Sequence, residues 1–259
     1  MINNPCLPDL RYLWHAGPST PIISHQEVQV WLASLSLSPL EIDVLRRCLS
    51  LDELQRATRY RSVGLQNNFI VTHGLLRVIL GRYINKPPEQ LHFDYGLHGK
   101  PILVQDSEQE RIQFNLSHSR DYVLYGFALE KQVGVDLEYI CPFAEVGQLA
   151  NQLFNLIERD VFFALPLEQR TEMFFRHWSR TEAFLKAKGC GLSYAFEYPM
   201  AAGSLEPSFG LIDRNSGFWE KSNWSFYQWS PVPNYTAALA IEGSNWDVSC
   251  WHYIGSDVV

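Results

Sequence analysis

The chain has 259 residues, 46% of them hydrophobic and 19% charged, enough apolar material for one large domain or two of ordinary size. Its sixteen glycines and fourteen prolines are scattered, which excludes long disorder and collagen-like repeats, and no apolar run approaches the ~18 residues that cross a bilayer. A formal net charge of −7 opposes broad binding to nucleic acid, which needs a basic surface, and leaves room for a small basic pocket for phosphates.

Met1 to Trp14 lacks the basic start and apolar stretch of a secretory signal, so a soluble, cytoplasmic protein is expected. Cys6, Cys48, Cys141, Cys190 and Cys250 are far apart and form no C-x-x-C pair. They read as reduced and structural, without a disulfide framework or a zinc site.

Residues 1–24 carry Pro5, Pro8, Pro18 and Pro21 and read as an extended, loosely held arm. Val28–Leu32 alternates as a first strand. Pro39–Leu49 has helical spacing at Leu40, Val44, Leu45 and Leu49. Ser50-Leu51-Asp52-Glu53 is a capping box that opens a short helix through Arg59. Asn68–Ile84 is a stronger helix with Phe69, Leu76, Leu80 and Tyr83 near one stripe, stopped by Asn85-Lys86-Pro87-Pro88.

Strands are predicted at Leu91–Tyr95, Ile112–Asn115, Tyr122–Leu129 and Val133–Tyr139. Helices follow at Ala144–Phe154, Leu156–Leu165 and Leu167–Lys188, the last closed by Gly189 as a C-cap. Phe154, Phe162, Phe163, Phe174 and Phe175 stand at helical spacings that favour core over a docking patch. Two strand-like pieces, Trp224–Trp229 and Thr236–Ile241, complete an α+β reading. It has two similar halves, 1–130 and 131–259.

The clearest chemical signal is Val133-Gly134-Val135-Asp136-Leu137-Glu138-Tyr139. Side chains alternate along a strand, so Asp136 and Glu138 share the face opposite the apolar residues, roughly 6–7 Å apart. Paired carboxylates repel unless a cation lies between them, and oxygen ligands suit Mg²⁺; the bland alternative is a solvated acidic edge strand. Trp178, Glu182 and Lys186 lie along one helical face, where Lys186 can meet a phosphate and Glu182 a metal or a proton, or where the two form an ordinary exposed pair. In Phe114–Ser119 a strand runs into a small polar turn presenting Ser117 and His118, better suited to holding a phosphate than to nucleophilic catalysis, since no G-x-S-x-G elbow surrounds them. Gly99-Lys100-Pro101 adds one loop cation.

Taken in order, His73-Gly74-Leu75-Leu76-Arg77, Gly99-Lys100-Pro101, Phe114–Ser119, Val133–Tyr139 and Trp178–Lys186, extended by Gly189-Cys190-Gly191-Leu192-Ser193, resemble the 4′-phosphopantetheinyl transferases of the Sfp type, particularly those of cyanobacteria. The likeness runs from about Val28 to Ile241. It implies a pseudo-twofold α+β fold that binds coenzyme A between its halves, and transfer of the phosphopantetheine arm to a serine of an acyl or peptidyl carrier protein; with both halves of the cleft in one chain a monomer suffices, and the charge and the lack of a long apolar run leave no nucleic acid or membrane partner expected. It further implies Asp136, Glu138 and Glu182 as Mg²⁺ ligands, and Ser117, His118 and Lys186 on the pyrophosphate. Lys100 would lie at the adenosine 3′-phosphate, with Glu182 and Lys186 carrying the catalysis.

The chain also departs from that pattern. Thr181 stands where a lysine is usual, with Arg180 rotated about 100° away on the helix. His73 stands at a usual arginine site, Gln66, Asn67 and Asn68 are neutral, and Glu53 replaces a cation of some relatives. These departures raise the alternative of a non-catalytic descendant that binds a carrier protein or coenzyme A as a regulator.

Overall fold

The computed structural model describes residues 14–96, 98–105, 110–191, 200–201, 208–212 and 219–255; residues 1–13 of the arm expected over 1–24, and the Leu192-Ser193 extension, lie outside them. Two five-stranded sheets form the centre. The first has the order β1 (Trp14–Ala16), β12 (Asp247–His252), β2 (Glu27–Ser34), β6 (Tyr122–Leu129), β5 (Ile112–Ser119). The second runs β7 (Val133–Tyr139), β11 (Tyr235–Glu242), β10 (Trp219–Trp229), β9 (Ser208–Ile212), β8 (Met200–Ala201). A small hairpin joins β3 (Phe93–Tyr95) to β4 (Pro101–Leu103).

Alternation explains the layers. On β2, Trp31 and Ala33 face helices α1 (Pro39–Arg47) and α3 (Val63–Ile84), while Val28, Val30 and Leu32 meet Val133, Val135 and Leu137 of β7 between the sheets. Both faces are covered, so six consecutive residues of β2 are buried. The outer face of the second sheet packs Ala238 and Ala240 against Ala183, Phe184 and Ala187 of α6 (Leu167–Lys188). Helices α4 (Val146–Leu153) and α5 (Leu156–Ala164) complete this side around Phe154, Phe162 and Phe174. The α+β expectation holds.

Local chemistry sets the helix ends. Ser38 and Ser50 each form a full capping box, with Glu41 and Glu53, which opens α1 and α2 (Leu51–Ala57). Gly189 closes α6 at φ 69°, a backbone region that costs glycine little.

Several expectations are corrected. Within the predicted arm, Trp14–Ala16 is a strand held in parallel pairing by β12, and Gly17 N–H donates to His252 O at 2.8 Å. Neither β12 nor β4 is anticipated. Leu40, assigned to the apolar face of its helix, is 79% exposed because Ile42 and Leu45 supply the buried stripe. Phe163 also points outward, unlike the buried Phe154, Phe162 and Phe174. The turn expected at Ser117 and His118 lies later: β5 continues through Ser119, and Arg120, at φ 47°, makes the bend.

Candidate functional site

Strand β7 and helix α6 build the site. Gly134 lies directly beneath α6: a Cβ there would overlap the Ala183 carbonyl oxygen and the Ala187 nitrogen. Glycine is therefore what permits the helix to lie close enough for its polar stripe to touch the carboxylate face of β7. Asp136, only 2% exposed, accepts from Lys186 Nζ at 2.6 Å and from Ser117 Oγ at 2.9 Å, both on Oδ1. Lys186 also donates to Ser117 Oγ at 2.9 Å. Trp178 Nε1 donates to Glu138 Oε1 at 3.0 Å. Thus Ser117, Asp136 and Lys186 meet in one cluster, while Glu138 is held at its flank by the indole.

Burial, reinforced by Asp136, pushes Glu138 up to about 7. Burial and Asp136 also raise Glu182, against the opposing pull of Lys186. His118 is exposed at the end of β5, and partial desolvation with the Lys186 charge lowers its pKa.

Whether these carboxylates suit a divalent cation can be judged from their own state. Asp136 Oδ2 is buried and has no hydrogen-bond partner, and a bare buried carboxylate oxygen is costly unless something positive meets it. Burial and the neighbouring Asp136 charge raise the pKa of Glu138, and a cation beside it would oppose both. An all-oxygen donor set of this kind fits Mg²⁺. Among the described residues no three His, Cys, Asp or Glu side chains are gathered tightly enough to hold an ion. As placed, Lys186 and Trp178 satisfy one oxygen each.

Beside Lys186 opens a cleft of about 260 Å³, walled by Arg56 and His73 from the first half, by Tyr95, His98 and Lys100 at the hairpin, and by Gly189 and Cys190 after α6. A larger hollow, about 570 Å³, adjoins it past Lys100 and takes in Arg111, Gln113 and Lys188. Lys100 is not a free loop cation: its ammonium donates to Val133 O at 3.3 Å and Ala187 O at 3.0 Å, and burial lowers its pKa to about 8. Arg56 lies over the rings of Tyr95 and Phe69, 5.0 and 5.5 Å from their centroids.

The departures noted in the sequence acquire physical meaning. His73 packs against Phe69 with ring centroids 4.1 Å apart, and burial, helped by Arg56, lowers its pKa to about 3, so it brings no charge to the cleft at neutral pH. Thr181 is buried and donates to His177 O at 3.1 Å. Arg180 is desolvated beside Glu158. Glu53 and Arg77 form a buried pair at 2.8 Å, and the Arg77 guanidinium also donates to Pro88 O and Leu91 O at 2.9 Å. Both are structural rather than part of the cleft.

Sequence reasoning gave no role to Asn115, Ser119 or the indole of Trp178. Asn115 Oδ1 accepts from Val135 N–H, and Ser119 Oγ from Tyr139 N–H, each at 3.0 Å. The signal was present: Gln113, Asn115, Ser117 and Ser119 place a polar side chain at every second position of β5, alternating with Ile112, Phe114 and Leu116.

Comparison with known proteins identifies the family. The family model for the 4′-phosphopantetheinyl transferase superfamily matches residues 132–240, and that for the N-terminal part of 4′-phosphopantetheinyl transferase matches 29–128. The chain is 34% identical to the 4′-phosphopantetheinyl transferase HetI of Nostoc sp. over 94% of its own length and all of that protein. It is 38% identical to a putative 4′-phosphopantetheinyl transferase, slr0495, of Synechocystis sp., covering 64% of this chain and 66% of that one. With psf-1 of Bacillus pumilus, also a 4′-phosphopantetheinyl transferase, identity is 31% over 62% and 70% of the two chains. Matched in both halves by models of one family, and along the whole of a relative, the chain belongs to the 4′-phosphopantetheinyl transferases.

Proposed function

We propose that the protein transfers the 4′-phosphopantetheine arm of coenzyme A to a serine hydroxyl of an acyl or peptidyl carrier protein, in a Mg²⁺-dependent reaction that releases 3′,5′-ADP. The observation that carries this reading is Lys186, which lines the cleft and at the same time touches the buried carboxylate of Asp136. A phosphate in the cleft would therefore meet an ammonium that already touches one of the carboxylates suited to its metal. On this reading the halves divide near Glu130, and one chain supplies both walls, so a monomer suffices.

Asp136, Glu138 and Glu182 are the side chains that would hold Mg²⁺, which when bound neutralises pyrophosphate charge. Lys186, His118 and the Ser117 hydroxyl donate to the pyrophosphate oxygens and stabilise the charge that gathers on the departing 3′,5′-ADP. Lys100 and Arg56 hold the nucleotide end with its 3′-phosphate. The carrier serine oxygen forms a bond to the β-phosphorus as the bond from that phosphorus to the 3′,5′-ADP oxygen breaks. Glu182, whose burial raises its proton affinity, takes the hydroxyl proton.

The test is release of 3′,5′-ADP from coenzyme A and an apo carrier. Release that requires both carrier and Mg²⁺, and is lost in Glu182→Gln, supports the assignment; release independent of Mg²⁺ contradicts it. A second reading, a regulator that binds coenzyme A without turnover, draws on the uncharged His73 and buried Thr181. Metal-dependent binding with no 3′,5′-ADP from any carrier would favour it.

A further inference from the structure

Strands β5 and β7 lie at the facing edges of the two sheets and share no backbone ladder. What joins them is a set of side-chain bonds from one face of β5. Asn115 bonds to Val135 N–H and Ser119 to Tyr139 N–H, and Ser117, between them, bonds to Asp136. The two outer partners advance by four residues on each strand, so β5 and β7 run in the same direction at a fixed register. The bracketed segment is the one that carries Asp136 and Glu138.

We propose that Asn115 and Ser119 are positioning residues for the transfer reaction: they join two strands that share no backbone ladder and fix Asp136 and Glu138 of β7 beside Ser117 and His118 of β5. Within its own sheet β7 is held in register by its ladder with β11, but that ladder does not fix how far β7 lies along β5, which belongs to the other sheet. A slide of one sheet edge along the other would carry Asp136 away from Ser117. Two bonds about 13 Å apart along the strand forbid it. They also fill the outward N–H groups of an edge strand, which would otherwise be left unpaired beside a charged site. This inference rests on the metal reading given above.

The experiment compares wild type with Asn115→Leu, Ser119→Ala and Ser119→Thr. Two quantities are read: amide hydrogen exchange at Val135 and Tyr139, and the Mg²⁺ concentration that half-saturates coenzyme A binding at equilibrium. Asn115→Leu should speed exchange at Val135, and Ser119→Ala at Tyr139, by about tenfold or more. Both should raise the Mg²⁺ requirement about 10- to 100-fold, as loss of an outer-shell support does. Ser119→Thr keeps the acceptor oxygen and should restore both readouts. Variants that lose thermal stability yet keep the wild-type Mg²⁺ requirement would overturn the proposal, because they would show support of the fold alone. If Asn115→Leu does not fold, Ser119→Ala, at a half-buried position, decides alone. Coenzyme A binding to wild type that ignores Mg²⁺ would refute the metal reading and this inference with it, while an unchanged Mg²⁺ requirement in the variants refutes this inference only.

Discussion

The ammonium of Lys186 stands 2.6 Å from Asp136 Oδ1, joining the last turn of the longest C-terminal helix to the middle of an edge strand fifty residues earlier. Because the carboxylate is almost wholly buried and the lysine is part-exposed at the cleft, the pair is at once a structural tie and the innermost wall of the site.

Lys186→Met should therefore weaken coenzyme A binding and stability together. Loss of one charge-assisted contact corresponds to about 10- to 100-fold in the coenzyme A KM, and the uncompensated Asp136 costs about 1–3 kcal/mol of folding free energy. Adding Asp136→Asn should recover part of that stability, since neighbouring substitutions do not add, and should not recover activity. Urea unfolding of the single and double variants, with steady-state kinetics, checks both parts.

Gly134→Ala tests the approach of α6 to β7. The added methyl meets helix backbone, which cannot swing aside as a side chain can. Overpacking of this kind costs about 1–3 kcal/mol, and the displacement separates Glu182 and Lys186 from Asp136. Turnover should fall more than about tenfold at temperatures where the variant stays folded, as small misplacements of reacting groups do. A variant with wild-type turnover would show that this close approach is not needed.

Arg77 sits in a stretch that the family resemblance marks, but its guanidinium is fully buried on Glu53 and two carbonyls. Breaking such a pair from one side costs about 3–5 kcal/mol. Arg77→Met should lower stability by that order and leave the coenzyme A KM of the remaining folded protein unchanged. A KM shift would place Arg77 in the cleft after all.

His177 supplies a pH dependence. Its ring Nδ1 is 3.4 Å from Glu158 Oε1, yet burial and the nearby Arg180 hold its pKa at about 3, from an ordinary 6.5. Burial prevails because Arg180 shares the same carboxylate. Below pH 6.5 the unfolded chain binds a proton that the folded chain refuses, so stability is full above that pH and declines towards about 3. The slope from one histidine is at most ~1.4 kcal/mol per pH unit. His177→Phe, which can keep the ring contact with Phe154, should flatten the acid limb of the stability profile measured by urea midpoints.

How much of this was legible beforehand depended on whether the determinants were local. The capping box at Ser50–Glu53, the Gly189 stop and the alternation of Val133–Tyr139 are written in adjacent residues, and the elements stand there. The β12 strand was illegible because Asp247–His252 is held by pairing with β1 and β2, far away in the chain. The two faces of β7 were legible; that the polar face is covered by α6 was not, because it follows from Gly134 and the helix meeting in space. Lys100 reads as an ordinary loop lysine until the carbonyls of Val133 and Ala187 are seen to surround it.

The central claim is phosphopantetheinyl transfer from a cleft lined by Lys186, whose ammonium touches a β7 carboxylate. Its most direct measurement is the intact mass of an apo carrier protein after incubation with coenzyme A and Mg²⁺. The account predicts a gain of one phosphopantetheinyl group on a carrier serine with wild type, and none with Asp136→Ala or after chelation of the metal. An equal gain with Asp136→Ala, folded as wild type, would contradict it.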